Sequence, residues 1–227
     1  MMRWIRNILI FFFTSTILAV VILKYIPVYI TPLMLIRGVE AVIDGRTPQI
    51  RHRWVPLEKI NHNLPQAVMA SEDNLFLKHK GFDLEQIQKA QIEAQEGKRQ
   101  RGASTISQQT ARNVFLWQDH TWLRKGLEAY FTCLIELIWG KERIMEVYLN
   151  SIEMGDGIYG AYAVAHANFD TSPAQLSKSQ SAYIAVSLPN PRERDSARPT
   201  PKMRRMHNTI MKRMKQIDTF PKDVCYQ

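Results

Sequence analysis

Cysteine is scarce: Cys133 and Cys225 are the two thiols in 227 residues. Two cysteines so far apart build no disulfide framework, and without a C-x-x-C spacing they signal neither zinc nor redox chemistry. They read as inert thiols that an oxidising compartment could pair. Strand alternation is almost absent, with residues 49–55 a weak candidate, so an all-β fold is excluded. No internal repeat recurs. Neither Ser-x-x-Lys nor Lys-Thr-Gly occurs, which excludes the acyl-serine machinery of a transpeptidase. Negative charge is in deficit, with 21 Asp and Glu against 30 Lys and Arg, for a net charge of +9. The imbalance implies an anionic partner, and nucleic acid, an anionic lipid surface and a phosphate-bearing substrate all fit.

What is present argues for one folded domain behind an anchor. Hydrophobic residues make up 45% of the chain, which excludes disorder as the default, and the length suits a single core plus an appendage. Residues 8–23 carry no charge, follow Arg3 and Arg6, and are closed by Lys24. Extended to Ile30, the run is long enough for a membrane-spanning helix of about 20 residues. No small-residue cleavage site follows, so an uncleaved anchor outranks a removed signal peptide. The leading arginines favour a cytoplasmic N-terminus. Residues 1–30 are therefore expected to be a cytoplasmic tip and transmembrane anchor, and residues 31–227 the working domain.

Helical signals dominate the remainder. A short helix is expected over 33–43 and another from Asn63-Leu64-Pro65 into Glu72, with proline in its first turn. Residues 83–96 form a polar helical segment ended by Gly97. Thr105 and Gln108 have capping-box spacing, so a helix begins near Ser104. Thr121 opens the next, where Leu123, Leu127, Phe131, Leu134 and Ile138 recur at helical spacing and Gly140 is the stop. Further helices are expected over 141–150, from about Tyr159, over 177–188 and over 201–217. The fold class is mainly α.

Three segments could carry chemistry. Glu72 has apolar residues on both sides, which places it at a core edge where partial burial would raise its pKa toward that of a general base or acid. A lone glutamate at a helix end is more often simply solvated. Arg124 and Glu128 sit one turn apart; such a pair is commonly an ordinary surface ion pair, yet a second carboxylate beside cations also suits glycosyl chemistry. The segment from Gly102 to Gln109 offers a helix N-terminus whose free N–H groups suit a pyrophosphate. Lys98, Arg99, Arg101 and Arg112 would strengthen that field. A capped helix with a solvated basic approach explains this segment about as well.

Taken in order, Glu72-Asp73-x-x-Phe76-x-x-His79-x-Gly81, Gly102-x-Ser104-Thr105-Ile106-x-Gln108-Gln109, Arg124-Lys125-x-x-Glu128 and Lys141-x-x-Ile144-x-Glu146-x-Tyr148-Leu149-Asn150 resemble the successive motifs of glycosyltransferase family 51. The resemblance runs from the anchor to beyond Pro191. It implies a lysozyme-like helical glycosyltransferase domain with a small membrane-facing lobe, preceded by one N-terminal transmembrane helix. It implies polymerisation of lipid II into glycan strands at the bacterial inner membrane, on the periplasmic side, with release of undecaprenyl pyrophosphate.

By resemblance, Glu72 would deprotonate the acceptor's 4-hydroxyl and Glu128 would assist at the leaving group. Ser104, Gln108, Gln109, Arg112, His120, Arg124, Lys125 and Asn150 would contact substrate, and Asp73 would be a local support. No dedicated metal site is expected; a divalent cation, magnesium or manganese, could balance the pyrophosphate. Expected partners are lipid II, the growing glycan, membrane lipids and other cell-wall synthesis proteins, without nucleic acid. The chain departs from the family pattern in three places. Arg112 replaces the common lysine, His120 stands where many members have arginine, and Asn168-Phe169-Asp170-Thr171 replaces a tyrosine-phenylalanine-glycine-lysine run.

Two rivals remain at this level. A lysozyme-like glycan cleaver would share the fold and the glutamate but needs no pyrophosphate clamp. An inactive scaffold for the cell-wall machinery would have no need of both glutamates. The basic residues Arg192, Arg194, Arg198, Lys202, Arg204, Arg205, Lys212, Arg213 and Lys215 carry no nucleic-acid readout motif. They read as a solvated face, or as a surface for anionic headgroups.

Overall fold

The structure is a computed structural model that describes residues 3–97, 102, 104–119 and 121–226, together with the backbone alone of Met2. Ten α-helices are found among these residues: α1 (Met2–Tyr25), α2 (Pro32–Ile43), α3 (Asn63–Glu72), α4 (Leu84–Gln95), α5 (Ile106–Phe115), α6 (Trp122–Ile138), α7 (Gly140–Ser151), α8 (Gly160–Phe169), α9 (Lys178–Ser187) and α10 (Pro201–Arg213). The mainly helical expectation holds. Strands β1 (Arg51–His52), β2 (Glu153–Gly155) and β3 (Ile158–Tyr159) make a small sheet in the order β1-β3-β2. β1 pairs parallel to β3 and β2 antiparallel to it.

α1 is long and apolar enough to cross a membrane and is almost wholly unburied by the rest of the chain. It ends at Tyr25, short of the expected Ile30, because Pro27 cannot donate to the helix and biases the residue before it toward extended backbone. The helix docks along α6. The Tyr130 hydroxyl bonds Thr16 Oγ1 at 2.8 Å, Phe12 and Phe13 flank the Tyr130 ring, and Trp139 Nε1 donates to the Val20 carbonyl at 2.7 Å. The outer side of α6 stays apolar and open: Trp122, Leu123 and Leu137 are exposed. α2 likewise exposes Leu35, Val39, Val42 and Ile43.

The core gathers α3, α5, α6, α7 and α8 around Ile60, Leu64, Phe76, Ile106, Ile135, Ile144 and Tyr148, all enclosed. A second cluster joins α3, α9 and α10 through Ala67, Ala70, Ala182, Ala185, Met203 and Ile210. The alanines let α9 lie close against α3 and so hold the end of α3, where Glu72 sits.

Gly140 ends α6 as expected: it follows the C-cap Trp139 with a φ of 77°, a conformation that glycine tolerates, and the chain turns there directly into α7. Gly81 has φ 92°, and a Cβ there would lie 2.8 Å from Thr132 Cγ2, so the loop after α3 presses onto α6 only because the side chain is missing.

Candidate active site

Glu72 is the last residue of α3 and is half-buried. It opens onto a cavity of about 360 Å³ lined in part by Ser71, Asp83, Gly102, Ser104 and Arg213. Burial is the largest influence on its carboxyl and pushes the pKa up from the ordinary value. A helix C-terminus also disfavours negative charge. Opposing this, Gln109 Nε2 donates to Oε2 at 3.1 Å and Ser71 Oγ to Oε1 at 3.2 Å. Nearby Arg194 supplies a cation that pulls in the same direction. Arg194 is itself anchored, donating to the Val186 carbonyl at 3.0 Å.

Asp73 is the support expected of it. Its buried carboxylate accepts the Ile106 N–H at 3.0 Å and His79 Nε2 lies 2.9 Å from both oxygens. His79 Nδ1 accepts the Gly81 N–H at 3.1 Å, so the ring proton sits on Nε2 and points at Asp73. Asp73 thereby joins the end of α3 to the start of α5. Thr105 caps α5, its side chain accepting from Gln108 N while Gln108 Oε1 accepts the Thr105 N–H: the expected capping box.

Gln109 bonds Glu72 directly, and Ser104 lines the same cavity. Gln109 also receives the Tyr148 hydroxyl on Oε1 at 3.1 Å. Arg112, on the same helix, is half-buried and close enough to Tyr148 to act on it electrostatically.

Other expected substrate contacts are placed differently. Gln108 is buried and its carbonyl is taken by the cap. Asn150 is wholly enclosed: Oδ1 accepts from Val55 N, while Nδ2 donates to the Val55 and Glu146 carbonyls, each at 2.8 Å. With three of its four side-chain hydrogen-bonding positions used inside the fold, Asn150 braces the segment before α3.

Glu128 is also fully enclosed and is not among the residues lining the Glu72 cavity. It pairs with Arg124 Nη1 at 2.6 Å and with Lys125 Nζ. Arg124 is buried, whereas Lys125 remains partly open. Asp119 adds a second carboxylate 3.7 Å from Arg124 Nε. Its own pKa is held below the ordinary value, first by the Thr121 backbone N–H. This is an ion-pair cluster built around an enclosed Arg124–Glu128 pair, with Lys125 and Asp119 partly open, not an exposed helix-surface pair.

His120, Lys98, Arg99 and Arg101 lie outside the described residues. Among the described residues no group of three or more His, Cys, Asp or Glu could hold a metal ion, and Glu128 is already committed to two cations.

Sequence reasoning missed Arg213 and Arg194 as neighbours of Glu72, having set both among the basic residues of a solvated or lipid-facing surface. Only the packing of α9 and α10 against α3 brings Arg213 to the cavity wall and the loop bearing Arg194 near Glu72. The missed link from Tyr148 to Gln109 had a usable signal: a tyrosine on the buried face of a helix must place its hydroxyl somewhere.

A helical domain that opens a half-buried glutamate into a polar cavity beside a capped helix N-terminus has a site fit for a glycosyl-transferring enzyme. The family model described as Transglycosylase matches residues 40–215, and the chain belongs to that family. A protein named biosynthetic peptidoglycan transglycosylase from Bacteroides thetaiotaomicron is 56% identical over 220 residues, covering 97% of this chain and 89% of that protein. Proteins of the same name from Caulobacter vibrioides and Pseudomonas syringae are 51% and 44% identical, over 83% and 95% of this chain and 82% and 92% of their own lengths.

Proposed function

We propose that the protein polymerises lipid II into peptidoglycan glycan strands, with Glu72 as general base and undecaprenyl pyrophosphate as leaving group. The observation that carries this is the Glu72 carboxylate: half-buried, open to a polar cavity, and held by hydrogen-bond donors in the form that accepts a proton. Glu72 removes the proton from the acceptor's 4-hydroxyl as that oxygen attacks the anomeric carbon of the growing strand. The C–O bond to the diphosphate breaks on the opposite face, so the anomeric centre inverts.

Arg124 and Lys125 carry the charge that meets the departing diphosphate. Glu128 acts through them, as the buried counter-ion that fixes their positions. The helix N-terminus at Ser104 and Thr105 adds backbone polarity on the cavity side. The anchor holds the domain at the bilayer from which a lipid-linked substrate is drawn, with the domain on the outer, periplasmic side as Arg3 and Arg6 favour.

Full-length protein and Glu72→Gln, each incubated with labelled lipid II, test the reading. Polymer is expected from the parent and at least a hundredfold less from the variant, the usual scale for a general base. Equal polymer from both would remove Glu72 from its role. Shortening of preformed glycan by the parent would point to a cleaving enzyme instead.

A further inference from the structure

Glu72 has a neighbour of unusual ambiguity. A glutamine side chain offers a donor at one end and an acceptor at the other, and rotation by half a turn exchanges them. Facing Glu72 with N–H, Gln109 supports an ionised carboxylate. Facing it with C=O, it would support the protonated acid and oppose proton abstraction. What holds the productive orientation therefore matters to any reaction that uses Glu72 as base, and the inference rests on that reading of Glu72.

Two contacts hold it. Tyr148 is wholly buried on α7, and its hydroxyl donates to Gln109 Oε1 at 3.1 Å, its one hydrogen bond among the described residues. The Ser104 carbonyl accepts from Gln109 Nε2 at 3.4 Å, a longer and weaker contact. Turning the carboxamide over would set its carbonyl against that of Ser104. It would also leave the Tyr148 proton buried without an acceptor, and burying an unpaired donor is costly. Burial pushes the Tyr148 pKa well above its ordinary value, so the phenol stays neutral and keeps its proton.

We propose that Tyr148 is a positioning residue: its hydroxyl locks the Gln109 carboxamide so that N–H, and not C=O, faces Glu72. Tyr148 touches no substrate, because it is enclosed two hydrogen bonds behind the carboxylate. When a proton reaches Glu72, the parent enzyme cannot easily relax around the acid form, whereas an enzyme lacking the hydroxyl can.

Other charged groups face Glu72 and remain in place when the hydroxyl is removed. They are Asp73 on the adjoining residue, Asp83 across the cavity, Arg194 after α9 and Arg213 at the end of α10. Arg112 lies on the α5 side, next to Tyr148. A displaced titration in the variant thus reports the lock rather than the surrounding field.

The test uses full-length protein in detergent micelles with labelled lipid II, comparing Tyr148→Phe with the parent across a pH series. The acid limb of kcat is expected to move up by about one pH unit with KM unchanged. The infrared carboxyl band of protonated Glu72, identified by its loss in Glu72→Gln, is expected to move with it. A folded variant in which neither moves overturns the lock. A band that moves while the rate limb stays would leave the lock standing and instead refute Glu72 as the base. Gln109→Met removes both ends of the carboxamide, and adding Tyr148→Phe to it should displace the limb no further; a further displacement overturns the proposal. If Tyr148→Phe does not fold, Gln109→Met decides alone: an unmoved limb there means that the amide N–H does not hold Glu72.

Discussion

At the residue scale the site rests on a conflict that Glu72 does not resolve in favour of stability. Burial raises its pKa above the ordinary 4.5, so the folded protein binds that proton more tightly than the unfolded chain does. Stability associated with this group is present at low pH and is lost as pH rises from the unfolded value through the raised folded one. Glu72→Gln, neutral throughout, should therefore have a higher Tm than the parent at neutral pH, with the gap closing as pH falls through the raised folded value toward the ordinary 4.5. Thermal unfolding of both proteins in detergent checks this, and identical Tm values at neutral pH would show that ionised Glu72 carries no penalty. The motif spacing made Glu72, Ser104 and Gln109 legible in advance as one site. It could not show that Asn150, Gln108 and Glu128 face inward, because a motif carries identity and spacing but not the direction of a side chain on a packed helix. Arg194 and Arg213 were hidden for the opposite reason: they stand among many similar charges, and only long-range packing singles them out.

At the scale of elements, helix starts were more readable than helix ends. Thr31, Asp83, Thr105, Thr121, Ser177 and Thr200 all cap through their side chains, and caps are local chemistry that sequence displays. The sheet was harder, since strands of two or three residues show no period and β2 and β3 form around glycines. The end of α8 carries one of the family departures. Asp170 stands at the glycine position of the usual run, takes the left-handed conformation with φ 48°, and leaves its side chain exposed. The cap is kept, with the Thr171 N–H reaching the Ala165 carbonyl at 3.2 Å, so the replacement changes the strain and not the turn. Asp170→Gly should stabilise the protein by ~0.5–1 kcal/mol, seen as a Tm higher by about 1–4 °C. No gain would mean that Asp170 makes up its backbone cost elsewhere. The partner departure at Asn168 has a use, since its Nδ2 donates to Ser196 Oγ at 2.7 Å and pins the loop that carries Arg194.

For the whole molecule, the question is whether the anchor merely tethers the domain or is built into it. Arg143 argues for the second. Its guanidinium pairs with Glu146 at 2.5 Å, donates to the Leu23 and Ile26 carbonyls at 2.7 and 2.5 Å, and lies over the Trp54 ring at 5.0 Å. Glu146 Oε1 in turn accepts the Leu57 N–H at 3.2 Å. The Leu23 carbonyl in the last turn of α1, which Pro27 leaves without its helical donor, and the Ile26 carbonyl just beyond it are thus capped by a side chain of α7. α7 is also the helix that bears Tyr148, so the end of the anchor and the support behind Glu72 share one rigid element. Arg143→Ala should cost roughly 2–4 kcal/mol, because it leaves Glu146 half-satisfied and these carbonyls bare. Denaturant unfolding measures that loss. Hydrogen exchange locates it: amides of the last turn of α1 should exchange faster in the variant, while those of α9, which Arg143 does not touch, should not. If the exchange of α1 is unchanged, its end is not held by Arg143 and the anchor is a tether after all.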